Sequence, residues 1–287
     1  MAMKVVKPVY GEGCTLLNDE EVIAAIVSNK GFHNVNIKNP VTIQDKINWL
    51  KVYDISKLKA LCADKIAVHD YCMEKLGIDI CVPILKIYES PDNIKLGELP
   101  NKFVLKCNHG AAMNVICKDK KKFDLADAKK KIRKWLTVDL GTTGMEYHYS
   151  FIKPKCFAEK YIADDSSSSG LTDYKVWCFG GEPGFVQVMA NRYTENKYTN
   201  MYDLNWNKLD TGYNMWPFNP DVIDQKPKHF DQMIEYATKL CKDFKFVRVD
   251  FYDTADKLYL GEMTFTPSNG RCIFSDSFGN PWAAKIK

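Results

Sequence analysis

The sequence reads as an α+β protein built on antiparallel sheets, and three observations carry that reading. Short runs that alternate apolar and polar residues come in pairs, as at 173–179 and 184–189 across Gly180-Gly181-Glu182-Pro183. Segments with apolar residues at helical spacing are few and stand between these pairs. The regular strand–helix–strand alternation of a parallel nucleotide-binding sheet does not occur.

The bulk numbers bound the answer. A chain of 287 residues can bury one large core or two smaller ones. Its 46% hydrophobic and 26% charged content is that of a soluble globular protein. A net charge of +4 is too small to call for nucleic acid, though it suits a phosphate-bearing ligand. The ten cysteines are scattered, with no Cys-x-x-Cys and no Cys/His cluster at zinc spacing, so they read as reduced, buried thiols of a cytoplasmic protein. No apolar leader, membrane-length apolar run or internal repeat is expected.

Taken in order, residues 1–60 read as a small helical region. Asn18 to Glu21 start one helix, and Thr42 opens another with Ile47, Leu50 and Tyr53 on one face. Asp64-Lys65 begins a helix that stops at Gly77. A strand over 103–106 ends in Lys106 and turns through 107–114, a small-residue loop holding His109 and Gly110, into a strand over 115–117. Such a loop can point backbone N–H groups at a phosphate, although any polar hairpin has the same look. A helix over 123–136 follows, then a strand over 156–162 with Glu159, Lys160, Tyr161 and Ile162. Residues 166–170 read as a flexible hairpin tip, 191–200 as a polar flap carrying Arg192 and Lys197, and 230–242 as a helix.

Two strands over 246–252 and 258–267 form the last hairpin, turning near Ala255. That turn sets Asp250 roughly opposite Glu262. Opposed carboxylates repel unless something positive lies between them, and Mg²⁺ held by one or two carboxylates is one candidate. Arg248 leaves the same face as Asp250 and suits a phosphate or a developing oxyanion. An ordinary structural Arg–carboxylate bridge fits these residues equally well.

Five motifs in order resemble the ATP-grasp enzymes: Asp64-Lys65, the strand ending in Lys106 with its loop, Glu159-Lys160-Tyr161-Ile162, Arg248-Val249-Asp250 and Glu262-x-Thr264. The wording FVLKCNHG, KPKCFAEKYI, DYKVWCFGGE, FVRVDFY and GEMTFTP is similar to the TupA-like branch, associated with teichuronopeptide and other surface-polysaccharide synthesis, over about residues 40–275. The chain departs in three places: one glycine in the phosphate loop where D-alanine–D-alanine ligases have several, Thr264 where they have an asparagine metal ligand, and Gly270, which arrives two residues late after the retained Pro267.

The resemblance implies two α+β lobes gripping ATP, with a first lobe over 61–160 and a second over 161–287. Lys65 and Lys106 would meet the phosphates, together with the loop at His109 and Gly110. Residues Glu159 to Ile162 would read the adenine, with Asp173 meeting the ribose or Lys106, and Lys175 beside it. Asp250, Glu262 and Thr264 would hold Mg²⁺. Arg248, with Arg192 and Lys197, would face the reacting groups. The implied reaction joins a carboxylate-bearing sugar or glycan to a small amine or amino acid through an acyl phosphate, with peripheral contact to a membrane-bound glycan assembly. A sugar or small-molecule kinase on the same fold is the alternative. A glycosyltransferase, for which no Asp-x-Asp stands at a strand end, and a non-catalytic nucleotide-binding module are weaker ones.

Overall fold

The computed structural model describes residues 18–28, 35–162, 171–192 and 194–287. It holds two antiparallel sheets. The smaller has four strands, β1 (Ile84–Tyr88), β2 (Phe103–Cys107), β3 (Asn114–Cys117) and β4 (Cys156–Lys160), in the order β1-β4-β2-β3. The larger has six, β5 (Asp173–Phe179), β6 (Glu182–Ala190), β7 (Tyr198–Tyr202), β8 (Lys208–Leu209), β9 (Phe246–Asp253) and β10 (Leu258–Thr264), in the order β10-β9-β5-β6-β7-β8. The helices are α1 (Asp19–Ser28), α2 (Ile43–Tyr53), α3 (Lys57–Ala63), α4 (Val68–Leu76), α5 (Leu125–Leu136), α6 (Leu140–Gly144), α7 (Phe230–Cys241) and α8 (Asp276–Ala283). The α+β class with antiparallel sheets is therefore as expected.

Local chemistry explains the element ends. Thr42 and Asp45 close a capping box at the start of α2. Asp124 caps α5, and Gly77 ends α4 in the left-handed conformation (φ +73°) that glycine adopts without a steric penalty. The β5–β6 hairpin turns at Gly180 and Gly181, both at positive φ.

The larger sheet has two different faces. Val176, Cys178, Val247, Val249, Phe251, Leu260 and Met263 pack against α7 and α4 in one apolar core. The other face is apolar at one end, where Trp177, Phe179, Phe185 and Phe246 meet α2 and α8. Each such aromatic, fully buried, stabilises the fold by roughly 1.5–3 kcal/mol. Towards its other end the same face becomes charged, and that end carries the candidate site. The smaller sheet has its own core with α5. Helix α4 packs with α7 beneath the larger sheet, and the chain joins the smaller sheet only at Ile84.

Several details differ from the sequence reading. Asp64 and Lys65 lie in the turn before α4, because the Asp64 carboxylate accepts the N–H groups of Ile66 and Ala67 and delays the helix to Val68. Tyr53 is 54% exposed and does not share the buried face of Ile47 and Leu50. The strand expected to reach residue 162 stops at Lys160, whose N–H goes to Pro83 O. Of the expected flap over 191–200, the last three residues belong to β7, and Asn200 is buried with its amide on Asp224 and Val222 O. The expected hairpin tip at 166–170 lies outside the described residues.

Candidate active site

The register of β9 and β10 places the carboxylates. Tyr252 faces Tyr259 and Phe251 faces Leu260, and then the register slips by one residue, so that Asp250 faces Glu262 and Arg248 faces Thr264. Without that bulge Gly261 would stand opposite Asp250, and Glu262 would turn into the apolar core beside Val249. Gly261 sits at the slip because a Cβ there would lie 2.9 Å from the Tyr252 ring.

Strand β5 supplies the balancing charge. Lys175 is the register partner of Asp250, with Nζ 2.5 Å from Oδ2 and 3.4 Å from an Asp173 oxygen. Arg248 holds Asp250 with both arms of its fork, Nε at 2.6 Å and an NH group at 2.7 Å. The same guanidinium reaches Thr264 Oγ at 3.3 Å and Glu262 at 3.6 Å. Thr264 donates to Glu262 at 3.2 Å. Arg192 pairs with Asp173 at 2.8 Å.

One residue links this cluster to the loop between β2 and β3. Lys65 donates to Gly110 O at 2.9 Å and lies 3.3 Å from Glu262. Its position is set by its backbone N–H on Asn108 O and by Asp64, which accepts from the Asn108 amide. Gly110 is packed against Met113, whose Cε would be 2.8 Å from an added Cβ. On the sheet behind, Lys106 pairs with Glu159, and both are largely buried.

Three cations therefore surround two carboxylates, and the electrostatics follow. Burial alone would raise the Glu262 carboxyl, but Lys65, Lys175 and Arg248 outweigh it and hold the group far below the usual carboxylate range. Arg248 is pulled down by burial, yet Asp250 outweighs that and leaves it more basic than a free guanidinium. Glu262 is thus an ionised, hard-oxygen donor, with the Asp250 carboxylate and the Thr264 hydroxyl beside it, a set that fits one hard cation. In this structure positive charge beside Asp250 and Glu262 comes from side chains, as in the structural Arg–carboxylate bridge that the sequence equally allowed.

Other expected site residues lie as follows. His109 is buried, its Nε2 bonded to Trp135 O at 3.2 Å and its basicity lowered by burial, while its Nδ1 has no hydrogen-bond partner among the described residues. Lys106 and Glu159 meet each other, and Asp173 meets Lys175 and Arg192 rather than Lys106. Tyr161 lies under Lys102, 6.0 Å from its ring centre, and Ile162 is half-buried. Lys197 lies over the Trp216 ring at 5.3 Å.

Two groups of residues were missed. Asn108, buried, ties the loop between β2 and β3 to Lys153 and Lys155 as well as Asp64. Lys51, on α2, donates to both oxygens of Asn269 in the turn that follows β10. Beside it Thr266 bonds the buried Glu146. Burial lowers Lys51 to about 8, against the opposing pull of Glu146.

Among the described residues no helix is long and apolar enough to cross a membrane. No curated protein matches the chain. Similar solved structures include D-alanine–D-alanine ligase from Helicobacter pylori, 13% identical over 86% of this chain and 65% of that one, with a TM-score of 0.45. The Bacillus anthracis D-alanine–D-alanine ligase is 13% identical over 87% and 84%, with a TM-score of 0.43. ATP-grasp ligase PsnB, solved with a precursor variant, Mg and ADP, is 11% identical over 84% and 65%, with a TM-score of 0.41. This chain thus spans less than two thirds of the length of the Helicobacter and PsnB chains. The family model for TupA-like ATPgrasp matches residues 45–282, a span that takes in both sheets and every site residue named above, and the chain belongs to that family and carries the ATP-grasp fold.

Proposed function

We propose that the protein is an ATP-dependent carboxylate–amine ligase that joins a small amine or amino acid to a uronic acid or other acidic group of a surface polysaccharide or its precursor. The observation that carries the reading is the cluster of Asp250 and Glu262 with Lys65, Lys175 and Arg248, drawn from both lobes. ATP binds between the lobes. Lys65 and Lys106 exchange their present partners, Glu262 and Glu159, for phosphate oxygens, aided by the N–H groups of the loop at Gly110. Residues Glu159 to Ile162 bound the adenine, and Asp173 and Lys175 lie on the sugar and phosphate side.

Asp250, Glu262 and Thr264 would hold Mg²⁺, which when bound neutralises phosphate oxygens. Arg248, freed from part of its hold on Asp250, stabilises charge on the carboxylate oxygen as the acyl phosphate forms and collapses. Arg192 and Lys197 lie on the segment that covers the acceptor and excludes water. The enzyme's own part is to position and to neutralise.

The test is a matrix of uronic acids or acidic glycans against amines, scored for ADP release and for product mass. Ligation predicts ADP only when both partners are present, and a product heavier by the amine less water. A phosphorylated sugar formed without amine would replace the ligase with a kinase.

A further inference from the structure

Positive charge is unevenly placed along the chain. Residues 118–134 hold eight lysines and Arg133 against three aspartates, a net +6, while the whole chain carries +4, so all other residues together sum to −2. Two of the aspartates serve helix starts: Asp119 accepts the Lys121 N–H, and Asp124 caps α5. The third, Asp127, pairs with Lys131. Three more cations are tied to the segment over 92–99, Lys120 by the carbonyls of Leu96 and Leu99, Lys129 by Asp92 O and Arg133 by the Asp92 carboxylate. That leaves Lys118, Lys121, Lys122, Lys130 and Lys134. All five are exposed, and among the described residues none makes a side-chain hydrogen bond or ion pair.

We propose that this face, α5 with the short turn before it, docks on an anionic lipid bilayer. Flexible lysine stems on the outside of a helix suit negative charge spread over a surface, whereas the planar fork of arginine suits single phosphates, and the segment has eight lysines to one arginine. The apolar side of α5 is already used: Ala128 and Ile132 are fully buried with Phe103, Leu105 and Cys107 of β2. No large apolar side chain of residues 118–136 is exposed. The helix therefore lies against the headgroups without inserting into the acyl chains, and the attachment is electrostatic.

The position keeps docking and chemistry apart. Lys106 stands between Leu105 and Cys107 on β2, so its side chain leaves the opposite face of the smaller sheet, where it meets Glu159. A bilayer laid against α5 thus leaves the face proposed for ATP open.

The full chain, without nucleotide, is sedimented with vesicles of phosphatidylcholine, alone or mixed with phosphatidylglycerol. The face predicts binding to the anionic vesicles at low salt, none to the neutral ones, and release at about 0.5 M salt, where screening leaves little attraction. Each lysine near such a surface contributes roughly fivefold in partition. Lys121→Gln, Lys122→Gln, Lys130→Gln and Lys134→Gln together should therefore weaken binding at least about 100-fold, and the last two alone at least about tenfold. Lys57 on α3 and Lys226, Lys239 and Lys242 around α7 are also exposed. Their four glutamine substitutions change the net charge equally and should weaken binding by less than about threefold, since charges far from the membrane are screened. Melting temperatures check that both variants keep the fold. Equal binding to neutral and anionic vesicles, no binding at low salt, or equal loss in the two variants would overturn the proposal. So would tighter binding of poly(U) RNA or polyglucuronate than of vesicles through the same lysines, which would give the face to a soluble polyanion. No nucleotide or acceptor takes part, so the outcome is independent of the ligase reading.

Discussion

Arg248 spends its fork on Asp250 in this structure, which makes it the residue where catalysis and architecture are hardest to separate by eye. Kinetics separate them. Arg248→Lys keeps the charge but loses the planar fork. ATP should bind nearly normally, since Lys65, Lys106 and the carboxylates remain. Turnover should fall roughly 10²–10³-fold, the cost of one preorganised oxyanion donor. Unfolding, or lost ATP affinity with kcat preserved, would make the arginine a structural bridge. For Lys106→Ala the expected loss is in ATP affinity. One charge-assisted contact contributes about 1.5–3 kcal/mol, or roughly 10- to 150-fold in Kd. An unchanged Kd by calorimetry would leave Lys106 only its bridge to Glu159.

His148 should set part of the acid sensitivity. Burial, with Lys59 and Lys51 adding to it, lowers this imidazole to about 3. In the unfolded chain it titrates near 6.5. Below that pH the unfolded state takes up a proton that the folded state refuses, so stability is complete above about 6.5 and drains away as pH falls towards 3. At pH 5 the loss is roughly 2 kcal/mol. His148→Phe, which can keep the ring contacts to Tyr149 and Phe265, should remove that part of the difference between pH 7.5 and 5 in urea titrations. An identical difference in the variant would mean the ring is not held neutral.

At the level of the element, the bulge at Gly261 decides whether the hairpin carries a site at all. Gly261→Ala must displace the Tyr252 ring and should cost about 1–3 kcal/mol in the denaturant midpoint, with a larger fall in turnover as Glu262 shifts. Unaltered stability and rate would show that the register does not depend on the glycine. The hairpin was legible because alternation is local: Arg248, Asp250 and Tyr252 announce one face, and a polar turn announces the pairing. The smaller sheet's loop was legible for the same reason. Lys51 was not, since the Asn269 it anchors lies 218 residues away and nothing near either residue signals the contact. Lys106 and Glu159 were each read as site residues, but their pairing arises from the alignment of β2 with β4. Asp64-Lys65 looked like a helix start because Asp is a good cap, and the carboxylate does cap, one turn earlier than the helix begins.

For the whole molecule, the proposed function depends on two sheets meeting at a few side chains. Lys65 is the clearest link, since one ammonium touches the β2–β3 loop of the smaller sheet at Gly110 and the larger sheet at Glu262. The charged end of the larger sheet's inner face lies under that link, while the apolar end is sealed by α2 and α8. On the proposed reading, a site so arranged neutralises anions brought in from two sides, which is what joining a carboxylate to a phosphoryl group requires. The decisive experiment uses an acidic sugar substrate whose carboxylate carries heavy oxygen, incubated with ATP, Mg²⁺ and the amine. An acyl-phosphate route transfers one labelled oxygen to the inorganic phosphate released, in step with amide formation, and mass spectrometry of the phosphate reads it directly. Phosphate without label, or label retained in a phosphorylated sugar, would contradict the ligase reaction.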